Sequence, residues 1–307
     1  MLCEDCGLVF SDPRPNTNQI DDFYREGYRV AYKQAWQPRL KHTYRAGKVA
    51  QERMRHLVPL LAPESSVLDF GSGGGELVFI LRELGHEARG IEPNIGYAEY
   101  SRDVLGIPVQ IGGFAEAQVE PRSLDLVTLF HVAEHLEHPV GAFRQASQWL
   151  REGGLLYVEV PNVESQCIWP SSRFHQAHLY NFNAATLAQA GRRAGLQVVT
   201  TFTSEDGGNV TAIFENTETC TEAASEPLPG NATRVSHILR KHTALAHAVT
   251  PHPYVRPLQK LRRQWNERQA IAHFTDGKSL LQCLAREIQR PNRHAIHPTP
   301  TVKLAQV

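Results

Sequence analysis

From residue 66 onward, short apolar runs alternate with stretches of helical periodicity. The run at 66–70 precedes a helical pattern over 76–85, and the run at 87–93 precedes another over 95–106. A weaker run at 108–112 leads into a loop. The runs at 124–130 and 154–160 are followed by amphipathic stretches at 138–150 and, after a loop, 184–195. Apolar runs separated by helices predict a parallel sheet with crossover connections. The last two runs, 196–202 and 209–216, are joined by a turn-rich Ser-Glu-Asp-Gly-Gly and predict an antiparallel hairpin. The total is seven strands.

The flanks are helical in pattern. Tyr28, Tyr32, Trp36, Tyr44, Val49, Met54 and Leu57 recur at loose helical spacing from a start near Thr17, with a break at Pro38. Beyond Thr219 a Pro/Gly-containing linker precedes helices expected near 231–249, 256–270 and 276–289, then a Pro/His-rich tail. The expected organisation is 1–16, a helical segment 17–62, an α/β domain 63–219 and a helical extension 220–307.

Charge and cysteine usage narrow the setting. Lys plus Arg and Asp plus Glu each number 32, so no global field draws the chain to nucleic acid or an anionic membrane. Five scattered cysteines do not form a disulfide framework, and a reducing cytoplasm fits them. No leader pattern and no run near ~18 apolar residues is present, so a soluble, cytoplasmic protein is expected. Between Gly230 and Ala270 eight basic residues face one acidic residue, Glu267, which describes a solvated helix face or a site for an anionic ligand.

Chemistry concentrates in the stretch 67–94. A strand ends at Asp69-Phe70, a glycine turn follows, a helix starts at Glu76, and the next strand ends in Glu92. Such a loop lets a ligand approach the backbone while the later carboxylate accepts from two ribose hydroxyls. A dinucleotide site needs a small residue where Glu76 stands, and a carboxylate there repels pyrophosphate. A nucleoside cofactor without phosphate suits the loop better.

The order Asp69, Gly71, Gly73, Gly75, then Glu92, resembles the class I S-adenosylmethionine-dependent methyltransferases. The stretches LDLVTLFHVAEHLEHP, REGGLLYVEVPN and HLYNFNAATLAQAGRRAGLQVV are similar to the downstream signatures of a broad bacterial small-molecule branch. The resemblance implies an α/β, Rossmann-like, seven-stranded, mostly parallel sheet of order 3-2-1-4-5-7-6. It implies S-adenosylmethionine as cofactor and a small-molecule acceptor. Asp69 would hold the methionine ammonium, with Gly71, Ser72 and Gly73 lining the amino-acid moiety. Glu92 would grip the ribose, Phe114 would lie in the loop after the third strand near adenine, and Phe130 would end the fourth strand near the methyl group.

Methyl transfer to oxygen also needs a base, and HVAEHLEH offers His131, Glu134, His135 and His138. His131 and His135 are the expected catalytic candidates. Glu134 and His135 could instead brace the loop. A metal site on them lacks a further ligand, so no metal is expected. His175 and His178 are alternative bases, or substrate contacts with Tyr180 and Asn181. The basic C-terminal stretch would suit a sugar or nucleotide-linked sugar. Competing readings are a nucleotide-dependent oxidoreductase and a non-catalytic binding protein on the same fold.

The first residues, MLCEDCGLVFSDPRP, carry Cys3 and Cys6. Zinc wants four ligands and this pair supplies two. The segment resembles the second knuckle of a zinc ribbon that precedes some members of that branch, which implies a half-ribbon remnant at 1–16 or a start placed too late.

Overall fold

The structure, a computed structural model, describes residues 1–14, 36–217 and 227–289. The expected helix start near Thr17, Tyr28 and Tyr32, Cys220 and the tail from 290 lie outside the described residues. In chain order the main elements are β1 (Val9–Phe10), α1 (Leu40–Leu57), β2 (Ser66–Phe70), α2 (Glu76–Glu83), β3 (Glu87–Glu92) and α3 (Ile95–Glu99). They continue with β4 (Val109–Ile111), β5 (Leu124–Phe130), α4 (Pro139–Trp149), β6 (Leu150–Pro161), β7 (Tyr180–Asn181) and α5 (Ala184–Arg193). The chain closes with β8 (Gln197–Thr203), β9 (Asn209–Glu215), α6 (Asn231–Lys241), α7 (Ala244–Ala248), α8 (His252–Ile271) and α9 (Gly277–Gln289).

Seven strands form one sheet in the order β4-β3-β2-β5-β6-β9-β8. β4 through β6 pair in parallel, and β9 runs antiparallel to both β6 and β8. Counted within this sheet, the order is the expected 3-2-1-4-5-7-6. Parallel strands buried on both faces must be apolar throughout. Val67, Leu68, Leu126, Val127, Leu129, Leu156 and Val158 accordingly have almost no exposed surface.

Each face of the sheet has its own helical layer. On one, Met54 and Leu57 of α1, Leu77 to Leu81 of α2, and Leu280, Leu281 and Leu284 of α9 share a single buried cluster. Elements from both ends of the chain thus complete the same core. On the other face Phe143, Ala146 and Trp149 of α4 pack with Leu187 and Ala190 of α5. Asn183 starts α5 with a capping box, accepting from Thr186 N–H while the Thr186 hydroxyl accepts from Asn183 N–H.

Three differences from the sequence expectation have local causes. The expected helix over 95–106 is split, because α3 passes into a π-helical turn over Tyr100–Leu105. The pattern over 231–249 breaks into α6 and α7, and α8 begins at His252 with Pro257 inside it. A two-stranded ribbon, β1 with β7, pairs Val9 with Asn181 and Phe10 with Tyr180. Two-residue strands are too short to display a period.

Gly191 in α5 sets the distance between that helix and the sheet, since a Cβ there would overlap the buried Phe214 ring of β9. Gly191→Val should lower unfolding free energy by about 1–3 kcal/mol through overpacking. Urea denaturation reads this directly, and an unchanged midpoint would contradict the packing account.

Candidate active site

In a parallel sheet the carboxyl ends of neighbouring strands open on the same edge, and loops there hold ligands. Here β2 ends beside Asp69, β3 ends at Glu92, β5 leads into His131, and Glu159 lies near the end of β6. The register places Phe130 opposite Glu159 and Asp69 opposite Thr128. Four charged or titratable side chains therefore gather at one edge.

The loop after β2 turns through left-handed conformations at Gly71, Gly73 and Gly75, with φ of 75°, 58° and 79°. A side chain at Gly71 would be strained by φ and would also come within 2.5 Å of Val132 Cγ2, so this glycine lets the loops after β2 and β5 touch. Gly71 and Ser72 N–H groups donate to Ile91 carbonyl at 2.7 and 3.1 Å. Gly73 N–H donates to Glu92 Oε2 at 2.7 Å and Asn94 N–H to Glu92 Oε1 at 3.0 Å. Glu92 thus ties the glycine loop to the start of α3. A carboxylate oxygen has two lone pairs and can accept from more than one donor, as a site for ribose hydroxyls requires.

Two buried polar groups point to a ligand at this loop. Ser72 is buried, and its hydroxyl has no hydrogen-bond partner among the described residues. Asp69 is buried and accepts from Thr128 Oγ1 at 2.7 Å. Burial pushes its carboxyl up to about 6, against the opposing effects of that hydrogen bond and of Arg53. A cationic ammonium would relieve the cost of the buried carboxylate, and a ribose would present hydroxyls to Glu92. The residues therefore fit the amino-acid and ribose parts of S-adenosylmethionine.

Phe114 stacks on Phe70 with ring centroids 3.7 Å apart and lies parallel to Trp149 at 5.7 Å, so it extends an apolar stack from the end of β2. Phe130 is buried at the end of β5, with the Arg53 guanidinium 3.7 Å above its ring. Arg53, from α1, also donates to Glu159 Oε1 at 3.1 Å.

His131 follows with φ of 57°, uncommon outside glycine, and its N–H donates to the Glu159 carbonyl at 2.8 Å. Its ring is held between two acids, Nδ1 3.4 Å from Glu134 Oε1 and Nε2 3.4 Å from Glu159 Oε1. Burial alone would lower its pKa, but Glu134 and Glu159 outweigh burial and raise it to about 9. Glu159 itself is held at about 2, because His131 and Arg53 overcome the opposing effect of burial.

On the other side of Glu134 stands His135, with Nε2 3.7 Å from the same Oε1 and Nδ1 2.9 Å from the Ala177 carbonyl. His178 lies against His135, ring centroids 4.9 Å apart, and burial pushes its pKa down to about 4. The Leu179 N–H donates to the Glu134 carbonyl at 2.8 Å, which brings the two loops together. Glu134, His135 and His178 offer donor atoms that all lie within 4.8 Å of one another. The third ligand that sequence spacing did not supply comes from this loop.

The structure thus gathers His131 and His135 around Glu134, with Glu159 and Arg53 as partners that sequence reasoning did not single out. Glu159 had a signal, a charged residue inside the apolar run of β6. Arg53 had none, since its position on α1 reads as ordinary helix surface.

Comparison with known proteins supplies the family. A family described as a methyltransferase domain matches residues 41–201. A ubiquinone biosynthesis O-methyltransferase of Burkholderia vietnamiensis is 32% identical over 101 residues, covering 31% of this chain and 44% of the relative. A probable S-adenosylmethionine-dependent methyltransferase of Mycolicibacterium smegmatis is 25% identical over 160 residues, or 50% of this chain and 59% of that one. Among solved structures, an S-adenosylmethionine-dependent methyltransferase from Archaeoglobus fulgidus aligns with a TM-score of 0.49 and 16% identity over 61% of this chain and 97% of its own. The match thus spans under half the length of the Burkholderia relative and about three-fifths of the Mycolicibacterium one.

The chain belongs to the methyltransferase-domain family, with the sheet order of its class I S-adenosylmethionine-dependent members. S-adenosylmethionine is the cofactor of that family. No helix among the described residues is long and apolar enough to cross a membrane.

The raised pKa of Asp69 has a measurable consequence. Its carboxylate, which would pair with the cofactor's ammonium, is lost as pH falls through about 6. Affinity for S-adenosylhomocysteine, which keeps the ammonium, should fall about tenfold per pH unit below that value. Asp69→Asn should bind more weakly and lose the pH dependence between pH 7.5 and 5. Calorimetry that finds the same pH profile in both proteins would refute the assignment.

Proposed function

We propose that this protein transfers the methyl group of S-adenosylmethionine to a hydroxyl oxygen of a small-molecule acceptor. The observation that carries this reading is the cluster His131, Glu134, His135 and His178 at the end of β5, next to the glycine loop through the Val132–Gly71 contact. The cofactor supplies an electrophilic methyl on a sulfonium. Asp69 holds the ammonium, Ser72 and the loop glycines line the amino-acid moiety, Glu92 accepts from the ribose, and Phe114 with Phe70 offers an apolar wall.

Displacement at a methyl group needs an aligned nucleophile and exclusion of water. His131 has a carboxylate facing each ring nitrogen, so it serves as a fixed cationic brace between Glu134 and Glu159 and not as the base. Activation of the acceptor hydroxyl falls to Glu134, His135 and His178. Relatives named as O-methyltransferases support oxygen as the target. A sugar or nucleotide-linked acceptor would draw on the basic C-terminal helices, where Arg234 pairs with Glu164 and Arg256 contacts Cys167.

The division at 1–16, 17–62, 63–219 and 220–307 is retained as a reading of the chain, with the first segment one knuckle of a zinc ribbon. In its turn Gly7 N–H donates to the Cys3 carbonyl and Cys3 N–H to the Leu8 carbonyl, both at 2.9 Å, which supports the knuckle shape. A reducing cytoplasm suits the scattered cysteines.

The test is incubation of the protein with bacterial metabolite extract and isotopically labelled S-adenosylmethionine, followed by mass spectrometry. A labelled O-methyl product is expected, and its fragmentation identifies the acceptor. Glu134→Gln should lower turnover by roughly two orders of magnitude or more, in the range of lost acid–base catalysis. Affinity for S-adenosylhomocysteine should stay within about threefold. Tight NADH binding without S-adenosylhomocysteine binding would replace this reading with the oxidoreductase, and cofactor binding with no product from any extract would replace it with a binding protein.

A further inference from the structure

We propose that Glu134, His135 and His178 form a binding site for a divalent transition-metal ion. The first observation is a buried carboxylate with one oxygen unmatched. The Glu134 side chain is 2% exposed, and neither carboxylate oxygen receives a hydrogen bond among the described residues. His131 and His135 approach only Oε1, at 3.4 and 3.7 Å, while Oε2 is buried without a donor. The His131 cation faces Oε1, while Oε2 still needs a cation or a donor of its own.

The second observation is the orientation of the histidines. His135 Nδ1 faces the Ala177 carbonyl, and since a carbonyl only accepts, Nδ1 carries the proton. Nε2, on the Glu134 side, is then the nitrogen with the lone pair. A backbone carbonyl fixing the far nitrogen is the usual second layer of a metal-bound histidine. His178 is fixed from behind as well, because Ser11 Oγ donates to its carbonyl at 2.7 Å and β1 pairs with β7 two residues on.

The third observation is spacing. All three donor atoms lie within 4.8 Å of one another. Around a tetrahedral ion with bonds near 2.0–2.1 Å, donors stand about 3.4 Å apart, so closure of at most about 1.4 Å completes the site. Two imidazoles and one carboxylate favour Zn2+, Fe2+, Co2+ or Ni2+ over Mg2+ and Ca2+, which prefer oxygen. Three protein ligands leave a position open. Resting on the methyl-transfer reading, a bound ion would take the acceptor hydroxyl oxygen at that position and lower its pKa, so that the hydroxyl proton leaves to solvent water while the two histidines act as ligands and not as bases.

The experiment uses the full chain carrying Cys3→Ser and Cys6→Ser, so that the thiol pair contributes nothing. Zn2+ is titrated against a chromophoric chelator, and Co2+ is titrated with visible absorption. One ion per chain is expected, with Co2+ bands lacking thiolate charge transfer. Glu134→Gln and His178→Asn should each weaken Zn2+ binding by roughly a hundredfold or more, beyond the loss typical of an outer-layer residue. Thermal melting confirms that each variant is folded, and His178→Asn, on the more accessible loop, serves if Glu134→Gln is not. Retained Zn2+ affinity in folded His178→Asn, or no Zn2+ bound once the cysteines are replaced, overturns the proposal. S-adenosylhomocysteine binding, measured on the same samples, separates loss of this site from failure of the methyltransferase reading.

Discussion

A carboxylate cannot be buried without compensation, and Glu134 is the point at which this fold meets that requirement. Removing such a charge from water costs several kcal/mol unless opposite charge or donors surround it. The compensating charge comes from His131, which arrives from the end of β5 in a left-handed backbone conformation. His135 from the same turn and His178 from the loop before β7 complete the surroundings of the carboxylate. His131 then needs a second partner, Glu159 of β6, and Glu159 in turn holds Arg53 of α1. One buried acid thereby links two strands, a loop and a helix from the other end of the domain.

The glycine loop borders a second buried carboxylate, Asp69. Left-handed glycines at alternate positions, Gly71, Gly73 and Gly75, turn the backbone so that N–H groups face the end of β3, where the Ile91 carbonyl and Glu92 carboxylate accept them. Asp69 is left in an apolar setting that raises its pKa, and Ser72 is left with an unmatched hydroxyl. Both are the marks of a site shaped for something with a positive charge and polar groups. Because Gly71 has no side chain, Val132 can close on it, and the glycine loop and the histidine cluster become neighbours.

The ends of the chain do more than cover the sheet. Gly7 and Cys6 of the N-terminal turn meet α6, where Asn231 donates to the Cys6 carbonyl at 2.7 Å and also accepts from Asn183, the cap of α5. The same N-terminal hairpin pairs with β7 and hydrogen-bonds the His178 backbone. Its two cysteines thus lie on a segment that contacts the loop carrying His178. At the other end α9 fits against α1 at Gly47, where a Cβ would come within 2.6 Å of Leu284.

The local pattern carried most of the fold. Short apolar runs, helical spacing and turn residues set the strands at 66–70 and 124–130 to the residue, and the hairpin at the end settled the antiparallel strands. The glycine loop and Glu92 were legible for the same reason, since their function depends on residues close in sequence. His131, Glu134 and His135 were also visible as a cluster, but their roles were not. Only the tertiary structure placed His178, Glu159 and Arg53 around them, because pairing between strands and loops far apart in sequence leaves no period to read. That placement decides which nitrogen carries a proton and which acid is paired, since both follow from distance and burial, which sequence order alone does not contain.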